Sequence, residues 1–283
     1  MRWRDQRKST NVEDRRGMGG RGMAVGGGGL GILLLGLAVF FCGGGDSLLR
    51  QTIRQQPTEQ IQPSANQPGQ ANKTEDELKS FARAVLGSTE DVWTEIFRKN
   101  NLKYSEPRLV LFTGQVSSAC GYASAAMGPF YCPGDQKVYL DFAFFQELQN
   151  QFRAPGDFAA AYVIAHEVGH HLQNQLGTMD KVTRAQARSG ERQANQLSVR
   201  LELQADCFAG IWAAEAQRKG LLEEGDAEEA IRAAAAVGDD MIQKRSQGYV
   251  VPESFTHGSA RERVTWYQKG FTSGDVRQCR TFE

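Results

Sequence analysis

The sequence predicts an α+β domain, mostly helical with a small sheet. Two short apolar runs bordered by turn residues, 108–113 and 137–141, read as strands. Beyond residue 157 the apolar residues recur almost throughout at helical spacing. Strands early and helices late give the α+β class. The chain has 283 residues, 40% apolar and 23% charged, which suits a folded core and excludes a wholly disordered chain or a polytopic membrane protein. Its 33 basic residues match 33 acidic ones, so nucleic acid is not an expected partner.

Taken in order, residues 1–21 form a basic tail: Arg2, Arg4, Arg7, Lys8, Arg15, Arg16 and Arg21 outnumber Asp5, Glu13 and Asp14. Residues 22–45 carry no charge and are long enough for one transmembrane helix. Basic residues before it and Asp46 after it predict a cytoplasmic N-terminus. The remainder would then lie in the periplasm or outside a bacterial inner membrane. A cleaved signal peptide is the rival reading, but the basic region is long for one. Residues 46–73, rich in Gln with Pro57, Pro63 and Pro68, read as a flexible linker.

The folded domain is expected over 74–283. Thr74 to Glu77 form a capping-box pattern before Leu78, Phe81, Ala82 and Val85. Gly87 and Ser88 should end that helix and start another carrying Val92, Trp93, Ile96 and Phe97. Residues 142–152 and 226–245 read as helices, the second for packing. Ser259 and Glu262 make a capping box for a helix through Tyr267.

The chemistry is concentrated in a helix expected from Asp157, its N-cap, to about Leu176, with Gly177 as its stop. His166 and His170 stand at i and i+4 on one face and can share one metal ion. Zn²⁺ suits imidazole nitrogens in a tetrahedral site. Glu167, one step round the helix, is placed to act as general base on a zinc-activated water. His171 at i+5 points elsewhere and should be exposed or behind the ligands. A third ligand is needed. Glu202 is the leading candidate, with Asp206 one turn on to receive the spare ring N–H of His166. Glu191, Glu215 and Asp180 are the alternatives. Small residues Ala205, Ala209, Gly210 and Ala213 would let the two helices approach.

His166-Glu-Val-Gly-His-His171 with Glu202-Leu-Gln-Ala-Asp206 resembles the gluzincins, zincin metallopeptidases with a Glu third ligand. More narrowly, the chain resembles a bacterial neutral zinc metallopeptidase family. The segments 118–121, 127–133, 138–141, 205–210 and 255–258 look like its signatures. The resemblance implies a zinc cofactor, a peptide or protein substrate, and a membrane partnership through one N-terminal helix.

His257, in a loop before the last capping box, is a candidate donor to the developing oxyanion; Tyr249, Tyr122 and Tyr267 compete for that role. Substrate is expected as an added strand on a sheet edge, with 124–139 a candidate. In an oxidising compartment Cys120 and Cys132 would pair, a second zinc site being the alternative. Cys207 and Cys279 are candidates for a second bridge, leaving Cys42 unpaired. Two functional classes remain: a membrane-anchored zinc peptidase, and a catalytically silent zinc-stabilised binding module. A zinc hydrolase acting on a non-peptide amide is a third possibility.

Overall fold

The computed structural model describes residues 1–17 and 68–283. Four strands form the main sheet: β1 (Val12–Asp14), β2 (Arg108–Phe112), β5 (Phe130–Cys132) and β6 (Lys137–Asp141). Their spatial order is β1-β2-β6-β5, with β1, β2 and β6 parallel and β5 antiparallel on one edge. A separate hairpin joins β3 (Gln115–Ser118) and β4 (Gly121–Ser124). The helices are α1 (Pro68–Lys99), α2 (Ala143–Asn150), α3 (Asp157–Gln175), α4 (Thr178–Gln186), α5 (Glu191–Arg218), α6 (Asp226–Ala236), α7 (Asp239–Gln247) and α8 (Ala260–Ser273).

Side-chain alternation sorts the sheet into two faces. Leu109, Leu111, Val138 and Leu140 join the main core with the helices. Val110, Phe112 and Tyr139 turn the other way and pack with Val116 and Ala123 of the hairpin. The Cys120–Cys132 disulfide ties that hairpin to β5. Cys207–Cys279 ties the C-terminal tail to α5. Both expected bridges are present.

The α+β class and both long strands are as the sequence predicts. Three elements differ, and glycines explain two of them. α1 is one continuous helix where two were expected. Gly87 does not end it; a Cβ there would lie 2.7 Å from the Arg7 carbonyl oxygen, so Gly87 is where the N-terminal segment crosses the helix. The expected helix 226–245 is broken into α6 and α7 at Gly238. A Cβ there would lie 2.3 Å from the Ala260 amide nitrogen. Asp157 is the first residue of α3, and Gly156 takes the N-cap position.

The largest correction concerns the first segment. Residues 1–17 are not a tail apart from the domain. β1 extends the sheet, and Met1, Trp3 and Ser9 are buried. The Trp3 ring meets Phe81 edge-on at 5.6 Å. Glu90, buried on α1, accepts hydrogen bonds from Arg7 Nη2 (2.8 Å), Ser9 Oγ (2.6 Å) and Asn11 Nδ2 (2.9 Å). Apolar burial and a saturated carboxylate hold the segment down. The apolar stretch 22–45 lies outside the described residues, as do 46–67 of the expected linker; its remainder, 68–73, is not linker but the first residues of α1, so Thr74 lies inside that helix and not at its start. Among the described residues no helix is long and apolar enough to cross a membrane.

Candidate metal centre

α3 is buried on nearly every side, so its polar residues need partners within the protein. It packs against α5 where Gly169 faces Ala205. A Cβ on Gly169 would lie 3.0 Å from Ala205 Cα, so the glycine between the two histidines sets the close approach. α5 in turn crosses α8 through Gly210 and Gly270. A Cβ on Gly270 would fall 2.0 Å from the Cys207 carbonyl oxygen. Three helices thus meet closely around one polar cluster.

In that cluster His166 Nε2 is 3.1 Å from Glu202 Oε2, and His170 Nε2 is 3.3 Å from Glu202 Oε1. All three residues are buried, and their ligand atoms lie within 4.8 Å of one another. Zinc bonds of roughly 2.0–2.1 Å make a tetrahedral edge of about 3.3 Å, so this spacing fits zinc. The other ring nitrogens are engaged. His166 Nδ1 lies 2.8 Å from Asp206 Oδ1, and His170 Nδ1 lies 2.9 Å from Gln173 Oε1. With Nδ1 donating to these acceptors, each Nε2 is left bare toward Glu202, the tautomer a metal needs. The structure brings together the three candidate donors, and the alternatives lie apart from them. Glu191 and Asp180 are exposed, and Glu215 pairs with Arg218.

Asp206 is fully buried and does more than orient one ring. Oδ1 accepts from Tyr162 Oη at 2.5 Å, and Arg263 reaches both oxygens at 2.8 and 3.0 Å. Tyr162, Arg263 and Gln173 were not singled out from sequence as site residues. Gln173 had a local signal, three residues after His170 on the same helix. Arg263 had none: it is four residues past a capping Ser, in a segment that reads as a solvated helix start.

Charges follow the geometry. Burial alone would lower the His166 pKa, but Asp206 and Glu202 outweigh it and raise it to about 9. Burial would raise Glu202, yet His170 and His166 hold it well below the ordinary carboxylate range. Asp206 is likewise lowered against its burial, chiefly by Arg263 and His166. Glu167 behaves oppositely. Its side chain is largely buried but its carboxyl oxygens are not sealed from solvent, it has no hydrogen-bond partner among the described residues, and desolvation pushes its pKa up.

His171 is not among the three clustered donors, and it is fully buried, not exposed. Its ring lies 3.1 Å from Tyr131 Oη on β5 and 2.6 Å from the Ser105 carbonyl oxygen, fastening α3 to the sheet edge and the preceding loop. His257 lines a small cleft with Glu202, Ser198, Met179 and Val182. Asp239 holds it: Oδ2 accepts the backbone N–H of Thr256, His257 and Gly258 at 2.8, 2.6 and 3.0 Å, and Oδ1 lies 3.2 Å from His257 Nδ1. Burial would lower the His257 pKa; Asp239 and Glu202 raise it. The competing tyrosines are elsewhere. Tyr267 is buried edge-on to Tyr162, with ring centroids 5.5 Å apart, and Tyr122 bonds Gln115 on the hairpin. No hydrogen bond joins Tyr122 or Tyr249 to the metal-facing residues among those described.

Comparison with known proteins agrees with this site. The family model described as "Putative neutral zinc metallopeptidase" matches residues 1–282. The chain is 45% identical over 288 residues to "Uncharacterized protein YpfJ" of Escherichia coli (strain K12), covering 100% of this chain and 99% of that one. It is 43% identical over 210 residues to "Uncharacterized protein Rv2575" of Mycobacterium tuberculosis, 70% of this chain and 69% of the relative. No solved structure matches it. On its sequence and on the donor set that α3 and α5 bring together, the chain belongs to the "Putative neutral zinc metallopeptidase" family.

Proposed function

We propose that this protein is a zinc-dependent peptidase with Glu167 as its general base. The observation that carries the reading is Glu167 itself. A largely desolvated carboxylate, its oxygens still open to solvent and without a hydrogen-bond partner among the described residues, neighbours the His166–His170–Glu202 cluster. A site serving stability alone has no use for such a group, because an unpaired buried acid costs free energy. Held by those three side chains, zinc would supply Lewis acidity, polarising a carbonyl and acidifying water.

The chain's own residues supply the proton transfers. Desolvation makes Glu167 a stronger base than an exposed carboxylate, so it accepts a proton from water and later delivers it to the leaving amine. His257, with Nδ1 at Asp239, has no hydrogen-bond partner at Nε2 among the described residues and can donate there to the oxyanion that develops on the scissile carbonyl. The cleft it shares with Glu202 supports that role. β5, the antiparallel edge strand fastened to α3 through Tyr131 and His171, is the proposed rail for an extended peptide. Two disulfides support an oxidising, extracytoplasmic setting. Association of the apolar stretch 22–45 with a membrane is an expectation from sequence.

The test pairs zinc analysis with an unbiased peptide-cleavage screen of wild type and Glu167→Gln. Cleavage by wild type and none by the zinc-loaded variant supports the proposal. No cleavage by wild type at full zinc occupancy overturns it in favour of a zinc-stabilised binding module.

A further inference from the structure

We infer that residues 1–17 and the metal-binding domain lie on the same side of any membrane the protein meets. The inference is independent of the chemistry at the metal centre. It contradicts the topology that the hydropathy and charge pattern suggest.

The contacts that carry it come from four parts of the domain. The Arg2 amide donates to the Leu221 carbonyl at 2.8 Å, beyond α5. Trp3 packs on Phe81, and the Ser9 amide donates to the Arg83 carbonyl at 2.9 Å, both on α1. β1 pairs with β2 from Val12↔Leu109 to Asp14↔Leu111, with Leu109 N–H donating to Asn11 at 2.9 Å. Lys137 of β6 reaches Glu13 at 3.0 Å, and Lys79 of α1 reaches Asp14 at 2.8 Å. Gly87 is shaped to admit the crossing, since any side chain there would strike the Arg7 carbonyl. This is a built joint, using backbone, apolar and charged surfaces together.

A single crossing by the charge-free stretch 22–45 would separate its two flanks by about 30 Å of hydrocarbon. Paired strands sit about 4.8 Å apart. β1 cannot hold β2 at that spacing from the far side of a bilayer. The basic residues that suggested a cytoplasmic tail have another use. Arg4 pairs with Glu77, Arg7 with Glu90 and Asp91, and Arg16 with Glu75, all on α1, while Arg15 pairs with Glu13 inside the segment. They are partners within the folded domain, where the positive-inside rule counts them as flanking charge.

The test uses the full chain in its membrane, with Cys42→Ser as background so that the four remaining cysteines are the bridged ones. Asp5→Cys reports on the N-terminal segment and Tyr249→Cys on the domain; both positions are exposed. A membrane-impermeant maleimide is applied to intact spheroplasts and, separately, after detergent lysis. The expected result is that both sites label in intact spheroplasts, or that both wait for lysis. Labelling of Tyr249→Cys in intact spheroplasts with Asp5→Cys protected until lysis would overturn the inference. A second pair, Thr10→Cys with Met241→Cys, reads the same outcomes should either of the first variants fail to fold.

Discussion

Asp206 on α5 and Glu90 on α1 are both buried carboxylates, and each is saturated by three side chains. Their donors differ. Those of Asp206 come from α3 and α8, and one is a metal-facing histidine. Those of Glu90 all come from residues 7–11. The same device, a dry carboxylate that collects donors, orients a histidine of the candidate metal site in one place and fastens a chain segment in the other. Glu167 is the contrasting third case, largely desolvated without a hydrogen-bond partner among the described residues and so, in the proposed mechanism, available to a proton from water.

This contrast can be broken in several ways. The largest effect is expected at the third carboxylate. Glu167→Gln should lower peptide hydrolysis by about 10²–10⁴-fold while zinc content, read by metal analysis, stays at the wild-type level. Next, Asp206→Asn should weaken zinc binding by about 10–100-fold in a chelator competition, because the amide cannot accept as the carboxylate does from His166 and Arg263 together. Arg263→Met leaves Asp206 a buried charge short of its cation. It should cost about 3–5 kcal/mol of stability in denaturant unfolding. Glu90→Gln should cost less, about 1–3 kcal/mol, and leave zinc affinity unchanged. Equal loss of zinc affinity in Glu90→Gln and Asp206→Asn would erase the distinction between the two carboxylates.

The smallest effect is on pH dependence. In zinc-free protein the His166 pKa is raised from 6.5 to about 9. Its proton therefore stabilises the fold fully below about pH 6.5, and that contribution is lost as pH rises through 9. Thermal unfolding of chelated protein should show this falling limb. Zinc must displace the proton, so loaded protein should lack the limb, and zinc affinity should rise with pH.

Much of the centre was legible because its geometry is local. The i, i+4 spacing puts His166 with His170 and Glu202 with Asp206 on single helix faces whatever the rest of the chain does. The Ser259–Glu262 capping box formed as read, because it involves one turn of helix. Gly87 and Gly238 misled in opposite directions. A glycine that ends a helix and one that admits a crossing chain look the same until the neighbour is known.

By itself, then, the sequence determined the α+β class, both long strands, the residues that form the two bridges and the three residues that cluster as candidate donors, since each depends on spacing along the chain or on residue chemistry. Tertiary structure alone decided that Arg263 completes Asp206, that Asp239 holds His257, and that residues 1–17 belong to the sheet. Those contacts join positions 57, 18 and roughly 80–220 residues apart. Over such separations no periodicity links the partners, and a charge that will be buried against a carboxylate reads like one left in water.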